Sequence, residues 1–114
     1  MTTIDSTHCV SVDEDGLIIH VSRSLADLLV WRPEELIGRP LTAIIPERFQ
    51  DSHNLGFSRF LSTGVGALLN QPLPLPVRRH DGTELKAELR ISAQEREGRW
   101  AFTATVSPRE GEVW

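Results

Sequence analysis

Three prolines at alternate positions, Pro72, Pro74 and Pro76 in QPLPLPV, limit what this chain can fold into more than any other feature. Proline has no backbone N–H to donate. In an extended strand alternate N–H groups point the same way, so the missing donors all fall on one side. An edge strand tolerates that loss and a central strand does not. The chain therefore contains a sheet, and this segment lies at its border.

The residues that follow supply the neighbouring strands. TELKAELRISA alternates Leu85, Ala87, Leu89 and Ile91 with Glu84, Lys86, Glu88 and Arg90, the pattern of a half-buried antiparallel strand. EREG reads as a turn. RWAFTATV then sets Trp100, Phe102, Ala104 and Val106 against Ala101, Thr103 and Thr105. The closing SPREGEVW, with Pro, Gly and charge, reads as a fraying tail.

The front of the chain opens with a hairpin, Cys9 to Val12 and Leu17 to Val21, around Asp13-Glu14-Asp15-Gly16. Asp-Gly supplies the positive-φ positions of a tight turn. Ser22 or Ser24 caps a short helix with Leu25, Leu28 and Leu29 on one face. In RPEELIG, Pro33 suits the first helical position, Glu34 and Glu35 its positive end, and Gly38 its stop. After the short turn PLTAIIP comes IPERFQDSHNLGFSRFLSTG. There Phe49, His53, Gly56, Phe57 and Phe60 recur at helical spacing, and Gly64 and Gly66 end the run. This is an amphipathic helix from about Pro46, roughly 25 Å long. Strands, short helices, one long helix and three more strands give an α+β fold, with helices packed on one face of an antiparallel sheet.

With 114 residues, the chain suits one domain around one core. No apolar run approaches the roughly 20 residues of a membrane span. MTTIDSTHCV lacks the pattern of a signal peptide, so a cytoplasmic protein is expected. The lone Cys9 excludes an internal disulfide and any multi-cysteine metal site. Net charge is −4 with scattered basic residues, unlike a nucleic-acid-binding face. There is no nucleophile elbow and no phosphate-cradling loop. The carboxylate pairs Glu34/Glu35 and Glu95/Glu97 fall in a helix start and a turn, where solvation or capping explains them. No enzyme activity is expected.

Three segments, DEDGLIIHVSRSLADLLVWRPEELIGRPLTAIIPERF, RRHDGTELKAELRIS and WAFTATVSPRE, resemble in order and spacing the PAS family of sensory domains. The resemblance covers about residues 6–108, and implies a single PAS domain over 1–114 with frayed ends. It implies a five-stranded antiparallel sheet cupping a pocket under short helices and one long helix. It also implies sensing or dimerisation with output to an effector domain or partner protein. The N-terminal segment Thr3 to Val10 and the last strand are the expected homodimer surface. The helical region has no cysteine, so no covalent photoreceptor chemistry is implied.

The long helix is also similar to that of the heme-binding oxygen-sensor PAS subclass, which runs from a proline to an iron-binding histidine, here Pro46 to His53. The resemblance makes His53 the metal ligand of a heme b cofactor and sets Arg59 near the propionates. Phe49 and Phe57 flank the histidine. Leu68, Leu69, Leu73, Leu75, Leu89, Ile91 and Phe102 complete the walls, with Leu89 and Ile91 over the distal face. Leu73 stands where oxygen-sensing kinases carry an arginine, and Ala67 where they carry a histidine.

Two readings of His53 stand open. It binds heme or another small ligand, or it is a core histidine bonded to a carbonyl or carboxylate. Arg59 reads equally as a surface or ion-paired residue. Trp31 and Trp100 read as packing residues, and His20 and His80 as solvent-facing. The function expected is sensing through a pocket ligand. The alternative is a cofactor-free dimerisation module.

Overall fold

The computed structural model describes residues 8–63 and 69–109. The expected frayed end beyond 109, the helix-ending Gly64 and Gly66, and Ala67, Leu68 and Thr3 to Thr7 fall outside those residues.

β1 (Cys9–Val12) and β2 (Ile18–Val21) form the opening hairpin. The Asp13 carboxylate accepts from the N–H groups of Asp15 and Leu17, and Gly16 takes φ +77°. Ser22 caps α1 (Arg23–Leu28) by accepting from the Leu25 N–H at 3.3 Å. α2 (Pro33–Leu36) begins on its proline as expected, and Gly38 leaves it with φ +89°. A 3-10 turn at Leu41–Ile44 leads into α3 (Glu47–Thr63). The chain then returns to the sheet in β3 (Leu73–Arg78), β4 (Glu84–Arg96) and β5 (Arg99–Pro108).

The strands pair in the order β2-β1-β5-β4-β3, every pair antiparallel. β3 lies at the edge, as its prolines require. The opposite edge is covered differently. The Ile18 N–H donates to the Arg39 carbonyl, and the Gly38 and Leu41 N–H groups donate to the carbonyls of Ile18 and Gly16, each at 2.8–2.9 Å.

The register places the apolar alternation in transverse rows on one face. Leu73, Leu89 and Val106 form one row, Ile91, Ala104, Val10 and Val21 the next, and Ala93, Phe102, Val12 and Ile18 the third. Leu25, Ala26, Leu29 and Leu36 of the helical layer are fully buried in the same core.

Four local expectations change. The β4–β5 turn is only Glu97-Gly98, both at positive φ, so Glu95 lies within β4. Ser107 and Pro108 belong to β5, and the Arg109 N–H donates to the Lys86 carbonyl. Leu17 stands outside β2 and bridges Pro40, because the chain bulges at Ile19. His80 is exposed, yet its ring stacks on Trp31 at 3.7 Å and its N–H donates to the Leu29 carbonyl. A turn that reads as solvated thus fastens β3–β4 onto the end of α1.

That helix end is strained. The Trp31 N–H bonds the Ala26 carbonyl and the Val30 N–H bonds that of Asp27, the hydrogen-bond pair of a helix stop that glycine normally occupies. Here the left-handed position, φ +63°, holds Val30, which is 54% exposed. A β-branched residue is costly there and gains little from burial. Val30→Gly is expected to stabilise the fold by about 1 kcal/mol, read as a higher urea midpoint at unchanged slope.

Candidate functional site

α3 is held near both ends, and between Arg48 and His53 the Gln50 amide donates to the Thr42 and Ile45 carbonyls. Near its start, the Arg48 guanidinium grips the Glu84 carboxylate through two contacts, at 2.6 and 2.8 Å. Near its end, Phe60 meets Trp100 and Phe102 edge-on, with ring centroids 4.9 and 5.1 Å away. Glu84 opens β4, and Trp100 pairs with Glu95 near its far end. The helix therefore lies lengthwise over the sheet, with His53 between the two anchors.

Between those anchors, the sheet faces the helix with apolar side chains. Leu85 and Ala87 are buried. Leu73, Leu75, Leu89, Ile91, Ala93 and Ala104 are only half-buried, although they point into the helical layer. The helical layer covers them incompletely, and this partly open apolar strip beside α3 is the candidate cleft. Leu69, also half-buried, packs against the core at the β3 side. The two alanines leave room that larger residues would fill. Their place in the alternation was readable, but their small size was the overlooked signal.

Phe49, His53 and Phe57 are half-buried along the inner stripe of α3. Phe49 lies under the Arg48 guanidinium at 4.8 Å. Phe57 stacks on His53 at 5.8 Å and meets Phe102 edge-on at 5.0 Å. Phe102 is buried in this aromatic cluster, which closes one end of the cleft. Gly56 is exposed, so the buried stripe is narrower than its spacing predicts. Arg59 is exposed too. Six residues past His53, it sits roughly two-thirds of a turn around the helix, away from the cleft.

Burial lowers the pKa of His53 and favours its neutral imidazole. The ring makes no hydrogen bond to any described residue, so none of them is the carbonyl or carboxylate partner of a structural histidine. A neutral, unpartnered imidazole can bind a metal or exchange one hydrogen bond with a guest. Among the described residues no group of three or more His, Cys, Asp or Glu could hold a bare ion. An iron here would need a porphyrin for its remaining ligands. His53 and the apolar wall of Leu73, Leu89 and Ile91 fit that donor set.

The sequence reading also missed Glu14. Its carboxylate accepts from the Trp100 N–H at 2.9 Å, linking the first turn to the aromatic cluster. No local pattern announces a contact between residues so far apart in the chain.

Because folded His53 resists protonation, the unfolded chain binds more protons there below the ordinary histidine pKa of 6.5. Stability contributed at this site is therefore present at higher pH and lost as pH falls below 6.5. Asp81 and Glu84, held low by Thr83 and Arg48, titrate beneath that window. Calorimetry is expected to show a lower Tm near pH 5 than near pH 7.5, and a smaller difference in His53→Phe.

A family model described as the PAS fold matches residues 6–109. An uncharacterized protein of Azorhizobium caulinodans is 33% identical over 106 residues, covering 92% of this chain and 14% of its own length. The chain thus spans about a seventh of that relative. A PAS domain of an HTR-like protein from Haloarcula marismortui superposes with TM-score 0.73 at 20% identity, over 92% of this chain and 83% of that one. The PAS domain of the Cronobacter turicensis quorum-sensing receptor RpfR, in complex with C12:0, has TM-score 0.70 at 12% identity, over 94% and 98%. No described helix is long and apolar enough to cross a membrane.

Proposed function

The chain belongs to the PAS family, and on that premise we propose that it is a non-enzymatic, cytoplasmic sensory module. It takes a small apolar ligand into the cleft under α3 and signals to a partner protein or a fused effector. One observation carries this reading: on the inner stripe of α3 stands an imidazole with no hydrogen-bond partner among the described residues, and the sheet's inward face holds half-buried apolar side chains. The C12:0 held by the Cronobacter domain supports an apolar guest in this fold. Binding alone does not signal. The ligand must stabilise one conformation of the module over another.

Heme b is the first specific ligand to test. His53 would hold its iron, and Leu73, Leu89 and Ile91 would form the opposite wall. When bound, heme supplies an iron centre that takes a gas or changes redox state. Leu73 and its neighbours offer no hydrogen bond to a bound gas. Arg59 is turned away, which leaves the propionates to solvent. Protein expressed with heme available is expected to show a Soret band. That band should vanish in His53→Ala while far-UV circular dichroism stays unchanged. Wild type without a Soret band would remove the iron and leave the apolar-ligand reading standing.

A second reading rests on the aromatic cluster. Phe57, Phe60, Trp100 and Phe102 already fill one end of the helix–sheet interface, as a cofactor-free dimerisation module would require. The outer sheet face of β1 and β5 would then carry the contact, together with the segment from Thr3. Sedimentation is expected to show a homodimer, and a monomer at high concentration would count against this reading.

A further inference from the structure

We propose that the cleft selects a ligand whose polar head is uncharged over one whose head is ionised. This rests on the reading of the cleft as a ligand site, and it adds the chemical class of the guest.

The register carries the argument. Every inward position of β3 is apolar, and so is every inward position of β4 except Glu95. Glu95 is exposed at the hairpin end, and its negative charge would repel an anion. On α3 the inward side chains are Phe49, His53, Phe57 and Phe60, none of them an acid, a lysine or an arginine.

The nearby cations are engaged or turned elsewhere. Arg48 is committed to Glu84. Arg78 donates to the Ala43 carbonyl at 3.4 Å. Arg90 lies on the outer sheet face and donates to the Asn70 carbonyl at 3.0 Å. Arg59 is exposed off the inner stripe.

A carboxylate carried into such a place loses its water and gains no counter-charge, a large penalty. A neutral head loses far less and finds one hydrogen-bond partner in the His53 ring.

Titration of the whole chain with 1-decanol and with decanoate, at neutral pH, tests this. Methyl NMR signals of Leu89 and Ile91 report occupancy of the cleft. The alcohol is expected to shift them, with decanoate at least about tenfold weaker. Leu73→Arg places a guanidinium on the inward face at the sheet edge and is expected to raise decanoate affinity to that of the alcohol or above. Wild-type decanoate binding as tight as decanol would overturn the proposal while leaving the ligand site intact. Failure of both probes to move either methyl signal would overturn the ligand-site reading itself, and this inference with it.

Discussion

The ladder between β4 and β5 is the constraint on which the placement of every inward side chain depends. It runs in unbroken register from Ala87 opposite Pro108 to Arg96 opposite Arg99. Its register is pinned by a two-residue turn, Glu97 at φ +53° and Gly98 at φ +80°, whose twist matches that of the strands it joins. A slip of β5 by one residue against β4 would turn Phe102, Ala104 and Val106 to solvent and bring Thr103 and Thr105 inward. Glu14 lengthens this constraint. β1 ends opposite Phe102, leaving the Trp100 N–H without a strand neighbour, and the Glu14 carboxylate takes the place of the missing carbonyl.

α3 is held unevenly across that frame. The Arg48–Glu84 pair is largely exposed, and water screens such a pair so that it adds little. The aromatic end buries Phe60 and Phe102 and adds edge-to-face contacts worth about 0.5–1.5 kcal/mol per pair. The half of the helix carrying Phe49 and His53 is held instead by polar contacts, that pair and the Gln50 amide, which donates to the Thr42 and Ile45 carbonyls. The cleft lies beneath it.

Much of this was legible in the sequence because it is periodic. The alternation in Leu85 to Ile91 and Trp100 to Val106 gave the strands their inward face, and the prolines gave the edge. Helical spacing put Phe49, His53 and Phe57 on one stripe. Other features depend on what meets across the fold, which spacing does not encode. His80 reads as a polar turn residue until Trp31, far away in the chain, supplies a ring to stack on. Arg59 shares a helix with His53 but not its face. The neutral state of His53 follows from burial, and the alternation alone does not say how deep a position lies.

Both borders of the sheet are partly blocked, one by Pro74 and Pro76 and the other by the Gly38 to Leu41 segment bonded to Gly16 and Ile18 at the start of β2. An open border is a template on which another extended chain can add, the first step of strand exchange and fibril growth. Here that step meets no free row of donors on β3 and an occupied row at Gly16 to Ile18. A module of this kind can be crowded beside copies of itself, or beside other segments of one long polypeptide, without its sheet seeding their assembly.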